Sequence, residues 1–86
     1  MKLLLALLTL IPLQAFADSD CAPHPKSEWV PEDTLKQALN EESYSIKKLK
    51  VDGNCYEIYG RNKQGKKVEI YFDTKTLAII KAEIEK

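Results

Sequence analysis

From Cys55 to Arg61 the even positions Tyr56, Ile58 and Gly60 share one face, and from Lys67 to Asp73 the even positions Val68, Ile70 and Phe72 do the same. This period of two predicts an antiparallel hairpin with one covered face. Pairing Ile58 with Ile70 and Tyr56 with Phe72 leaves the loop Asn62 to Lys66 and keeps Glu57 from standing directly across from Glu69. Gly60 then has no side chain on the covered face, which invites a helix to approach closely there or marks a bulge. Upstream, "YSIKKLKV" (Tyr44 to Val51) reads as a strand whose Ile46 and Leu49 differ in parity, so a bulge near Lys47 and Lys48 is expected. "DGN" then turns the chain.

A different period precedes these strands. In "WVPEDTLKQALNEES" Leu35, Ala38 and Leu39 fall on one helical face, Pro31 suits the first helical position, and Glu32 and Asp33 favour the positive end of the helix dipole. Val30 is a poor cap. Trp29 is expected to fold back on the apolar face. Downstream, "DTKTLAIIKAEIEK" carries a turn and the apolar group Leu77, Ile79 and Ile80; a fourth strand is expected, with a short helix as the alternative for residues 77–86. The fold class is therefore α+β, one N-terminal helix packed on a three- or four-stranded antiparallel meander.

The first residues follow neither pattern. Met1 to Ala17, "MKLLLALLTLIPLQAFA", has an early lysine, an apolar run and Ala15-Phe16-Ala17 before a polar stretch, the layout of a secretory signal peptide. The run is too short for the roughly 20 residues of a membrane-spanning helix, so no stable membrane anchor is expected after cleavage. The "DSD" before Cys21 lacks the small and apolar residues of a lipoprotein cleavage site. Residues 18–28 read as an irregular arm, polar and with two prolines, and residues 29–86 as the folded domain. Export is expected, to the periplasm or, as the alternative, outside the cell.

Lys+Arg and Asp+Glu balance at 13 each, and the lysines of Lys47 to Lys50 and Lys63 to Lys67 interleave with apolar residues, as on a solvated sheet rim. Nothing attracts nucleic acid. A domain this small buries only about 60% of its unfolded surface and needs a staple. Its two cysteines, Cys21 and Cys55, would meet an oxidising compartment, where one intramolecular disulfide is the expected pairing. Closing that loop stabilises the fold by roughly 3–4 kcal/mol.

Taken together, the leader, the cysteine in a short arm, Trp29 and Pro31 before one helix, and the run Tyr44, Ile46, Leu49, Val51, Cys55-Tyr56-Glu57-Ile58-Tyr59-Gly60, Gly65-Lys66-Lys67-Val68-Glu69-Ile70-Tyr71-Phe72-Asp73 and Thr76 resemble the PepSY family, the module of peptidase propeptides and of many small exported bacterial proteins. The resemblance covers the chain from Trp29 onward and is most specific from Tyr56 to Thr76. It implies a helix packed on an antiparallel sheet and a non-catalytic role, the regulation or inhibition of peptidases. Many members end the hairpin with Asp-Pro-x-Thr-Gly. Here the run is Asp73-Thr74-Lys75-Thr76-Leu77, and Leu77 is not expected to take the left-handed conformation that Gly takes readily.

Candidate chemistry is sparse. His24, the only histidine, stands in C-x-x-H spacing with Cys21, a weak metal-ligand alternative that Cys55 would extend to three ligands; the disulfide competes for the same sulfurs. Glu57 and Glu69 are two carboxylates of the kind glycosidases use, but on a wet sheet face neither is expected to have a shifted pKa. No nucleophile-and-base set assembles, so no enzyme activity and no cofactor are expected. The outward face, with Glu57, Tyr59, Arg61, Glu69 and Tyr71, supplies rigid amphipathic contact area and is the candidate surface for another exported protein, a peptidase in particular.

Overall fold

The structure, a computed structural model, describes residues 21–86; the expected signal peptide and residues 18–20 of the arm lie outside them. A 3-10 turn at Lys26–Glu28 leads to one helix, α1 (Glu32–Glu41), followed by four strands: β1 (Ser45–Asp52), β2 (Cys55–Arg61), β3 (Lys67–Asp73) and β4 (Ile79–Ile84). The strands form one antiparallel sheet in the order β1-β2-β3-β4. No helix among the described residues is long and apolar enough to cross a membrane.

The hairpin register is the one the alternation predicts, with Tyr56 across from Phe72 and Ile58 across from Ile70. Those residues and Val68 join Leu35 and Leu39 of α1 in a single buried cluster, with Trp29, Tyr44, Ile46, Leu49 and Leu77 packed at its margin. Ala38, expected on the same helical face, is exposed. In β1 the register shifts between Ile46 and Lys48, so the bulge returns Leu49 to the covered side, across from Ile58. The last segment is a strand, paired through Val68 with Ile84 and Ile70 with Ala82.

Three local features differ from expectation. Pro31 caps α1 rather than occupying its first turn: its φ of −58° and ψ of 146° are not helical, and its carbonyl accepts from the Thr34 N–H at 3.0 Å. No side chain caps that end, leaving Glu32 and Asp33 to complement the dipole. At Gly60 the close approach comes from β1, not the helix, because an added Cβ would collide with the Ser45 carbonyl oxygen and lie 3.1 Å from Ile46 Cα. Leu77 does adopt the left-handed conformation, at φ 61°. The turn is held by Asp73, whose Oδ1 accepts from the N–H groups of Lys75 at 2.8 Å and Thr76 at 2.9 Å, while its backbone pairs with Leu77 and Ala78. Burial of the Leu77 side chain against the core offsets the backbone strain.

The arm is fastened at one end of the sheet. Cys21 and Cys55 form the expected disulfide, with Cα atoms 5.4 Å apart. Trp29 sets its ring edge-on against Tyr56, centroids 5.5 Å apart, and donates its indole N–H to the His24 carbonyl at 2.8 Å. The Val30 N–H donates to the Thr74 carbonyl at 2.8 Å, and the Tyr56 hydroxyl to the Val30 carbonyl at 2.7 Å.

Candidate functional site

On the face turned away from α1 the registers of β1 to β4 lay side chains out in cross-strand rows. Lys50, Glu57, Tyr71 and Lys81 form one row, and Lys48, Tyr59, Glu69 and Glu83 the next. Beyond them Arg61 stands across from Lys67 and donates to the Gly65 carbonyl of its own hairpin loop at 2.9 Å. The five candidate contact residues thus share one surface. Tyr59 and Tyr71 are half-buried there, each with an ammonium near its ring: Lys50 Nζ is 5.9 Å from the Tyr59 centroid and Lys81 Nζ 5.9 Å from that of Tyr71. Clefts open on both sides of Tyr59, one bordered by Lys47, Arg61 and Lys67, the other by Glu69, Glu83 and Glu85.

Glu57 departs from the solvated carboxylate expected at its position. It is 1% exposed, and its oxygens have no partner in strict hydrogen-bond geometry. The nearest ammonium, Lys50 Nζ, lies 3.6 Å away. Glu69 and the hydroxyls of Tyr59 and Tyr71 crowd round it, and the Tyr71 hydroxyl donates to Glu69 Oε2 at 3.1 Å. Burial alone would raise the Glu57 carboxyl; the interactions with Glu69, Tyr59, Tyr71 and Lys50 outweigh it and hold the group below its ordinary value. Glu69 moves the other way, raised first by its interaction with Glu57 and then by burial. Two carboxylates in one site do not ionise independently, and the opposite directions make Glu57 the more readily ionised of the two. Both tyrosine hydroxyls are pushed above their usual range, Tyr59 first by Glu57 and Tyr71 first by burial, and stay protonated as donors.

This arrangement is a covered carboxylate pair braced by two phenols. Lys50 and Lys81 are the participants that residue-by-residue reading missed, although Lys81 follows from the strand register once β4 is paired with β3.

The residues of the metal-ligand alternative have other partners. Cys21 is bonded to Cys55, and His24 Nε2 lies 3.1 Å from Asp73 Oδ2. Asp73 is pulled down to about 2, first by the hydrogen bond from the Thr76 N–H, with Lys75 and His24 adding to it against burial. Its role is to hold the β3–β4 turn and the arm together.

Compared with known proteins, the chain matches the family model described as peptidase propeptide and YPEB domain over residues 1–83. No curated protein and no solved structure matches it.

Proposed function

The chain belongs to the peptidase propeptide and YPEB domain family, and from that membership we propose that it is a small exported, non-catalytic module that binds and regulates an exported peptidase. The contact surface is the outward sheet face, with Tyr59, Tyr71, Arg61 and Glu69 presented to the partner and Glu57 bracing them from beneath. One observation carries this reading: the two tyrosines stand between lysines and carboxylates on a face that α1 does not cover. Aromatic side chains with little freedom to lose are what interface anchors require. The disulfide supports an oxidising destination, with the periplasm preferred, and the leader-like residues 1–17 support export to it.

The test is retention of an identified peptidase from the exported fraction on the oxidised protein, together with the change in that peptidase's activity. Tyr59→Ala combined with Arg61→Glu alters the face while leaving Tyr71 beside Glu57. Its expected effect is capture weakened at least about tenfold with the thermal transition retained. Undiminished capture by the folded variant would assign binding to another surface.

A further inference from the structure

The sheet has two open edges among the described residues, and they differ in kind. β1 carries Lys47, Lys48 and Lys50 and a bulge at its start. Lysines and bulges are common guards against edge-to-edge pairing, and a second β1 would bring lysine against lysine. β4 has the sequence Ile79-Ile80-Lys81-Ala82-Glu83-Ile84 and is exposed along its whole length, with Ile79 at 59% and Ile84 at 55% exposure. α1 does not cover it. Its only irregularity lies at Ile80, where Tyr71 faces Lys81 and Phe72 faces Ile79.

We propose that two copies of this chain join β4 to β4, antiparallel, about a two-fold axis through Ala82. The hydrogen-bond phase of β4 restricts the choices. The Glu85 N–H donates to the Lys67 carbonyl at 2.9 Å, and since bonding alternates along an antiparallel ladder, Glu83 and Lys81 also point their backbone groups toward β3. Ala82 and Ile84 therefore turn theirs to the open edge. Pairing through those groups with the apolar side chains kept on one face demands that an even-numbered residue meet an even-numbered one. A centre at Lys81 sets Lys81 against its own copy. A centre at Glu83 does the same with Glu83, and a centre at Ile84 sets Glu83 against Glu85.

The centre at Ala82 has no such conflict. There Ala82 meets Ala82, Ile80 meets Ile84, and Lys81 meets Glu83 in both directions, in the non-hydrogen-bonded positions where side chains approach most closely. Lys81 already lies 3.6 Å from Glu83 within its own chain, so the dimer adds a second carboxylate to each ammonium. It also places the second copy's lysine beside the acidic row of Glu69 and Glu83. On the other face the joined strands bring the exposed Ile80 and Ile84 of the two copies together, beside the buried Val68, Ile70 and Phe72. The outward rows become continuous across the axis, Lys48, Tyr59, Glu69 and Glu83 of one copy running into Lys81, Tyr71, Glu57 and Lys50 of the other.

The measurement is the mass in solution of the oxidised protein, by sedimentation equilibrium from micromolar to near-millimolar concentration. Lys81→Glu and Glu83→Lys, each alone, set like charges across the axis. The combined swap Lys81→Glu with Glu83→Lys restores opposite ones. Both positions lie on an exposed strand away from the core, and circular dichroism and the thermal transition check that each variant is folded. A reversible dimer is expected in the unaltered protein, weakened about tenfold by either single change and recovered in the swap. A monomer at every concentration overturns the proposal, as does a dimer indifferent to both single changes, and a swap that fails to recover the dimer overturns the register. A monomer whose β4 charge variants instead lose an identified peptidase assigns the edge to a partner's strand and overturns it too.

Discussion

Glu57 shows where alternation stops being informative. Parity along β2 establishes which face a residue occupies, and it places Glu57 opposite the core; it says nothing about whether neighbours on that face close over it. Here Glu57 is 1% exposed, with Glu69, Tyr59, Tyr71 and Lys50 gathered round its carboxylate; long amphipathic side chains cover apolar and polar surface alike while their heads stay wet. The titration of its partner is testable. Glu69 is raised above its unfolded value, so its contribution to stability is fully present below about pH 4.3 and is lost as pH rises through the folded value. Gln copies the protonated form at every pH. Glu69→Gln is therefore expected to stabilise the protein at neutral pH, with the advantage closing on acidification to about pH 4. Urea midpoints at the two pH values read this directly. A variant less stable than the parent at pH 7 would mean that the Glu69 carboxyl is not raised by its surroundings.

At the scale of elements, what was legible in the sequence is what periodicity encodes. The hairpin register, its Asn62–Lys66 loop and the β1 bulge all follow from keeping apolar residues on one face, because a slip by one residue would turn Ile58 and Ile70 to the other side. β4 was ambiguous, its Ala, Lys and Glu residues being good helix formers; the open edge of β3 decides the matter by supplying a ladder. The helix end was not legible. Ser43 sits at φ 68°, with its N–H donating to the Asn40 carbonyl at 3.0 Å and the Tyr44 N–H to the Leu39 carbonyl at 2.9 Å. That is a Schellman closure, in which glycine is the usual left-handed residue. The Ser43 side chain is exposed and makes no contact that offsets the strain. Ser43→Gly should raise stability by about 0.5–1 kcal/mol and the melting temperature by about 3–6 °C. An unchanged or lower transition would show that the greater freedom of glycine in the unfolded chain cancels the gain.

For the molecule as a whole, the question is what keeps an irregular arm on a small sheet. The pairing of Cys21 with Cys55 was legible from compartment and count alone, but the other fastenings were not, because each joins residues far apart in sequence through polar atoms that no period marks. His24 meets Asp73, Val30 meets Thr74, Tyr56 meets Val30, and Trp29 lies edge-on to Tyr56, all at the end of the sheet where β2 begins and β3 finishes. A net hydrogen bond contributes only about 1 kcal/mol, whereas closing a loop of 34 positions restricts the unfolded chain enough to contribute roughly 3–4 kcal/mol. The bridge is therefore the dominant fastening, with the remaining contacts setting the direction in which the arm lies. Replacing both cysteines by serine should lower the unfolding free energy by about 3–4 kcal/mol and, if the arm then leaves the sheet, shift the Trp29 fluorescence toward that of exposed indole, since the indole N–H donates to the arm's His24 carbonyl. If the loss fell below about 1 kcal/mol with the emission unchanged, the hydrogen bonds and the Trp29–Tyr56 contact would be holding the arm without the bridge.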